Sequence, residues 1–198
     1  MMKRILLLLS IVVLVMSCSS PGWKVEGDSL LVYPTDSKTK VVKLEPFSET
    51  VIRVAASAKQ IVDSESLVVL PKEEKVNFEV KEDNNFVYLT TKSVQAVVSK
   101  ASGVVKFYDI DGILAEKDDN GRIFTPMQMD GEKAYELQQV FQSPGEEAIY
   151  GLGQHQAHDM NYKGKSEELF QYNTKVSIPF IVSTRNYGIL WDNYSLTR

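Results

Sequence analysis

From Ser29 onward the chain is a succession of short apolar runs broken by Gly, Pro, Asn or Asp. Leu30–Tyr33 stops at Pro34, and Val41–Leu44 stops near Pro46. Val51, Arg53 and Ala55 alternate with Ile52, Val54 and Ala56, and Phe78 and Val80 alternate with Glu79 and Lys81. After an Asn84-Asn85 turn, Phe86, Tyr88 and Thr90 share one face and Val87 and Leu89 the other, because side chains alternate along a strand. Val94, Ala96 and Val98 continue the pattern. Ser102-Gly103 leads into Val104–Tyr108, and Asp111-Gly112 into Ile113–Ala115. Asn120-Gly121 and Asp130-Gly131 mark two more turns, and Val176–Val182 reads as a later strand. Strands at roughly 8–12-residue spacing, rich in β-branched and aromatic residues, predict an antiparallel all-β domain, a sandwich or a barrel. The best candidate for a helix is the short segment Glu132–Gln139.

The first segment follows another logic. Lys3 and Arg4 precede Ile5–Val15, apolar except for Ser10. That run has the length of a signal-peptide core and falls short of the roughly 20 residues of a spanning helix. Val15-Met16-Ser17-Cys18 resembles a bacterial lipobox. The resemblance implies cleavage of residues 1–17, lipid on Cys18, and a protein exported and anchored to a bacterial membrane. Residues 18–27 then read as a tether and 28–198 as the domain. Cys18 is the single cysteine, so no intramolecular disulfide can form.

Composition narrows the picture further. The 198 residues carry a net charge of −4, which leaves no basic footprint for nucleic acid. The length suits one globular domain and excludes a (β/α)8 barrel beside it, since that barrel alone takes roughly 250 residues.

Chemistry could sit in the last third. Gly151-Leu152-Gly153 is followed by Gln154-His155-Gln156 rather than a third glycine opening a helix, so it reads as a tight bend or close chain approach, not a phosphate loop. His155, His158 and Asp159 lie within five residues, but the spacing fits neither a zincin pair nor a zinc finger. They read as a polar loop or a satisfied histidine, with no metal and no cofactor expected. The chain has no Gly-x-Ser-x-Gly elbow, and none of its 26 acidic residues stands out as one of a catalytic pair. Gln171-Tyr172-Asn173-Thr174 has two readings: hydrogen-bonding groups and an aromatic face for sugar hydroxyls, or a turn before the strand at Val176.

Three blocks carry a family resemblance. Phe141-Gln142-Ser143-Pro144 with Glu147–His155, Gln171–Thr174 with Ile178–Ser183, and Asn186–Ser195 resemble the N-terminal domain of glycoside hydrolase family 31, α-xylosidase-like members above all. The resemblance implies an antiparallel β-sandwich of the galactose-mutarotase-like type, ahead of a (β/α)8 barrel that carries an Asp nucleophile and an Asp acid/base for retaining cleavage of α-glycosides. No position here matches those catalytic motifs, so this chain is expected to be truncated before the barrel and inactive alone. Its implied partners are that barrel, an α-linked oligosaccharide and, through the lipid, a membrane. Asn173, then Thr174 and Gln171, are implied to line the sugar pocket; relatives also show Asp at the position of Asn173. A stand-alone carbohydrate-binding lipoprotein is the alternative, and a mutarotase-type enzyme is disfavoured because both histidines fall in one loop.

Overall fold

A computed structural model describes residues 22–61, 65–72, 74–109, 114–116, 121–156 and 160–198. The leader, Cys18, the Asp111-Gly112 turn, Asn120, His158 and Asp159 lie outside the described residues. Among the described residues every regular element is a strand. β1 (Trp23–Glu26), β2 (Ser29–Val32), β3 (Val41–Pro46) and β4 (Ile52–Ser57) form one sheet in sequence order. β5 (Glu79–Glu82), β6 (Phe86–Thr90), β7 (Gln95–Ser99), β8 (Val105–Tyr108) and β9 (Leu114–Glu116) follow. β10 (Arg122–Met129) and β11 (Glu132–Gln139) make a separate hairpin, and β12 (Phe141–Gln142) returns to pair with β9. The second sheet is therefore ordered β12-β9-β8-β7-β6-β5. A third sheet holds β13 (Ile149–Gln154), β14 (Val176–Ser183) and β15 (Gly188–Leu190) in that order. All pairings are antiparallel.

The period of two decides the core. Leu30 and Val32 of β2 and Val42 and Leu44 of β3 pack against Val87 and Leu89 of β6, Ala96 and Val98 of β7, and Val105 of β8. Each of these side chains is fully buried, while Phe86, Tyr88 and Thr90 on the opposite face of β6 are only partly covered. The first two sheets thus form the two layers of the expected sandwich. Each buried Val or Leu contributes roughly 1.5–3 kcal/mol by leaving water, so this seam is the main source of stability.

The turns follow local chemistry. The Asp83 carboxylate accepts the backbone N–H groups of Asn85 and Phe86, both at 2.8 Å, which bends the chain between β5 and β6. Gly103 takes a φ of 74°, and a Cβ there would stand 2.6 Å from Pro34 Cγ. Two expectations are corrected. Glu132–Gln139 is not a helix but strand β11, in register with β10 from Met129↔Glu132 to Arg122↔Gln139. Its Glu, Lys, Ala, Leu and Gln are good helix formers. A turn with φ of 50° at Asp130 and 84° at Gly131 overrides them by folding the segment back on β10. The tether also ends earlier than expected, because Trp23–Glu26 is β1, turned into β2 at Gly27-Asp28. Trp23 Nε1 donates to Glu82 Oε2 at 2.7 Å and so ties that first strand to the opposite sheet.

Two outermost strands, β4 and β15, border a cavity of about 540 Å³. Ile52, Val54, Phe124, Leu137, Ile189 and Trp191 supply much of its apolar wall, with Arg53 and Asp192 at its border, 3.9 Å apart.

Candidate functional site

The third sheet and the loop between β13 and β14 carry the residues singled out from the sequence. β13 is irregular by necessity. Its pairing with β14 shifts register between Gly151 and Gly153, and Leu152 between them takes a φ of 63°. A Cβ on Gly151 would meet Phe180 O at 2.3 Å, and one on Gly153 would meet Val176 O at 2.1 Å. The glycine pair is thus a bulge that lets two backbones close on each other, as its sequence suggested.

The bulge places His155. Its side chain is 3 % exposed, and Nε2 lies 2.6 Å from the Leu152 carbonyl. A carbonyl only accepts, so Nε2 carries the hydrogen. Nδ1 faces Glu167 Oε1 at 3.2 Å, off the line of a hydrogen bond. The Tyr162 ring packs edge-on against the imidazole. The described part of the cluster therefore behaves as a buried, anchoring histidine. Among the described residues, no group of three His, Cys, Asp or Glu side chains gathers where a metal could bind.

Glu167 also accepts Lys175 Nζ at 2.6 Å, and the same ammonium reaches Glu168 O at 2.5 Å. The Lys175 ammonium holds the Glu167 carboxyl below the ordinary carboxylate range, and Glu167 in turn raises Lys175. Lys175 closes the turn that contains the three predicted sugar ligands. Its N–H donates to Tyr172 O at 3.0 Å, leaving Asn173 and Thr174 at the tip, with Thr174 at a φ of 76°. Gln171, Tyr172, Asn173 and Thr174 are all exposed. Thr174 Oγ1 accepts Gln156 Nε2 at 3.3 Å, which links the tip to the residue after His155. The structure thus brings Gln171, Asn173 and Thr174 together in one exposed turn.

Two features escaped the sequence. One is Glu147, which is 3 % exposed and accepts hydrogen bonds from Ser143, Ser183 and Tyr187. Burial pushes its carboxyl up, but the three hydroxyl donors outweigh burial and leave it below its usual range. Burial and the bond to Glu147 push the Tyr187 phenol up to about 12. The other feature is the outer face of β14. Val176, Ile178, Phe180 and Val182 each expose 41–48 % of their surface. Their cross-strand partners include Tyr150 and Leu190, also exposed, so one apolar face runs across all three strands. The alternation at 176, 178, 180 and 182 was visible in the sequence, but Pro179 and Ile181 on the other face gave no sign of which side stays uncovered.

Antiparallel sheets stacked on one shared core define the class, a β-sandwich. The chain belongs to the glycosyl hydrolase 31 N-terminal galactose mutarotase-like domain family, whose model matches residues 41–198. An α-xylosidase of Saccharolobus solfataricus is 32 % identical over 167 aligned positions, covering 78 % of this chain and 22 % of that protein. An uncharacterized family 31 glucosidase of Pseudescherichia vulneris is 27 % identical over 176 positions, again 78 % of this chain and 33 % of the relative. The crystal structure of a family 31 α-xylosidase from Xanthomonas citri superposes with a TM-score of 0.78 at 39 % identity, over 85 % of this chain and 19 % of that one. An α-xylosidase from a soil metagenome, solved with xylose, gives a TM-score of 0.75 at 27 % identity, over 88 % and 28 % of the two chains. The chain spans at most a third of the length of these relatives.

Proposed function

We propose that this domain is the N-terminal accessory part of an exported, retaining α-glycosidase of α-xylosidase or α-glucosidase type. It docks on a family catalytic barrel and lends the Gln171–Thr174 turn to the sugar pocket, with no turnover of its own. The observation that carries the reading is the third sheet itself. It presents an uncovered apolar face on β14 and, at the N-terminal end of that strand, an exposed turn of amide and hydroxyl groups. The first suits burial against another domain; the second suits hydrogen bonding to sugar hydroxyls. The lipobox-like Val15–Cys18 supports export and anchoring through lipid on Cys18.

Hydrolysis of an aryl α-xyloside and an aryl α-glucoside by the chain alone tests the central statement. No turnover is expected, and sustained hydrolysis overturns it. Titration of the same chain with xylo- and malto-oligosaccharides is expected to show no binding tighter than millimolar. Tighter binding would instead favour a stand-alone carbohydrate-binding lipoprotein. Metabolic labelling with a radioactive fatty acid in a bacterial host is expected to mark the chain and to fail for Cys18→Ser; equal labelling of both removes the anchor.

A further inference from the structure

The Gln171–Thr174 turn projects from the domain, yet its stem is tied to a buried group. Lys175, immediately after the tip, has only 10 % of its side chain exposed and binds Glu167. The same Glu167 oxygen faces His155, which is itself fixed on the Leu152 carbonyl. Leu152 cannot shift freely, because the glycines on either side of it lie in backbone contact with β14. A continuous chain of contacts therefore runs from the rigid bulge through His155, Glu167 and Lys175 to the turn, and a second link runs from Gln156 to Thr174.

We propose that Glu167, held between His155 and Lys175, is the positioning residue that sets the shape of the Gln171–Thr174 turn and, through it, the preference for one α-linked sugar over another. The second half rests on the sugar-facing reading given above. Glu167 suits the task because one carboxylate oxygen binds Lys175 from the turn at 2.6 Å while lying 3.2 Å from the buried His155 ring beside the bulge, so it spans two segments. Thr174 holds a left-handed φ that a threonine rarely adopts, so the turn needs outside support to keep its shape. Glu167→Gln keeps an oxygen that can accept from Lys175 but removes the negative charge, which leaves the ammonium with neutral acceptors only, that amide oxygen and the Glu168 carbonyl. The turn would then relax while the bulge and the sandwich core stay in place.

The test has two arms. In the first, amide hydrogen exchange of residues 172–176 is followed by NMR in the chain and in Glu167→Gln, Lys175→Met and Lys175→Arg. Exchange is expected to rise at least tenfold in Glu167→Gln and Lys175→Met, to return toward the original rate in Lys175→Arg, and to stay unchanged in β6 and β7. Unchanged exchange at the turn overturns the proposal, as does a rise spread equally over the whole sandwich. In the second arm, the same substitutions are made with the domain joined to its family barrel. The ratio of kcat/KM for aryl α-xyloside over aryl α-glucoside is expected to move at least tenfold, mainly through KM, and to be restored by Lys175→Arg. A loosened turn with an unmoved ratio overturns the selectivity half and the sugar-facing reading together, and leaves the anchoring by Glu167 standing. A moved ratio with an unloosened turn overturns the anchoring and keeps the sugar-facing reading.

Discussion

The sandwich seam, built of Val and Leu, and the third sheet, rich in Ile and Val, are both antiparallel, but they are held in different ways. Between β2–β3 and β6–β8 the inward side chains are fully buried on both layers. Burial alone accounts for that region, and its polar groups are mostly in turns. The third sheet leaves an apolar face open and closes its other side with specific devices: a glycine bulge, a buried carboxylate under three hydroxyls, and a histidine against a carbonyl. The contrast separates what stabilises the domain from what shapes it. The seam supplies the free energy; the third sheet uses directional contacts to hold a surface that would otherwise have no reason to keep one form.

Truncating the seam should have the largest effect. Leu89→Ala or Leu44→Ala is expected to lower stability by about 2–5 kcal/mol, since each leaves a cavity among side chains that cannot collapse to fill it. Urea unfolding measures it, and a loss below about 1 kcal/mol would remove the seam from its place in the comparison. Next is the bulge. Gly153→Ala adds a Cβ 2.1 Å from a carbonyl at a φ of 94°, and is expected to open the β13–β14 pairing. Amide exchange in those strands should rise far more than in β6 and β7; equal rises would mean that the two regions unfold as one unit.

The buried carboxylate sharpens the comparison through pH. Glu147 ionises more readily in the folded protein than in the unfolded chain, so its contribution is fully present above the unfolded carboxylate range. It is lost as the pH falls below that range and through the depressed folded value. Tyr187→Phe removes one of its donors and is expected to lower stability by about 1–3 kcal/mol near neutral pH. Glu147→Gln should flatten the acid limb of the stability curve, and an unchanged limb would show that the carboxylate is not coupled to folding. The smallest effect on folding is expected at the open face. Ile178→Thr should change the stability of the chain by under about 1 kcal/mol, yet reduce the binding of an apolar dye. Dye binding unaffected by this change would place the sticky surface elsewhere.

Much of the sandwich was legible before the structure because its signals are local. Phe86–Thr90 alternates cleanly behind an Asn-Asn turn, and Val41–Leu44 ends near a proline, so sequence alone located β6 and β3. β11 was not legible, because nothing within Glu132–Gln139 announces that a partner strand waits across Asp130-Gly131. β1 was missed for the same reason: its strand character comes from pairing with β2 and from the Trp23–Glu82 bond, 59 residues away. In the third sheet, Gly151-Leu152-Gly153 declared a close approach, since only glycine tolerates it. Glu147 carried no signal, because an acid beside Pro144-Gly145-Glu146 looks like any solvated turn. The clustering of Gln171, Asn173 and Thr174 followed from adjacency, whereas their anchoring by Glu167 and His155 depended on a loop without periodicity.

The wall of the cavity between β4 and β15 includes Trp191, one of only two tryptophans in the chain. The other, Trp23, sits on the strand farthest from β4 in its sheet. Replacing Trp23 with phenylalanine therefore leaves a single tryptophan, excitable apart from the tyrosines at longer wavelength, beside that space. Its emission maximum becomes a readout of hydration there, blue-shifted when apolar groups fill the slot and red-shifted when water does, without any label attached.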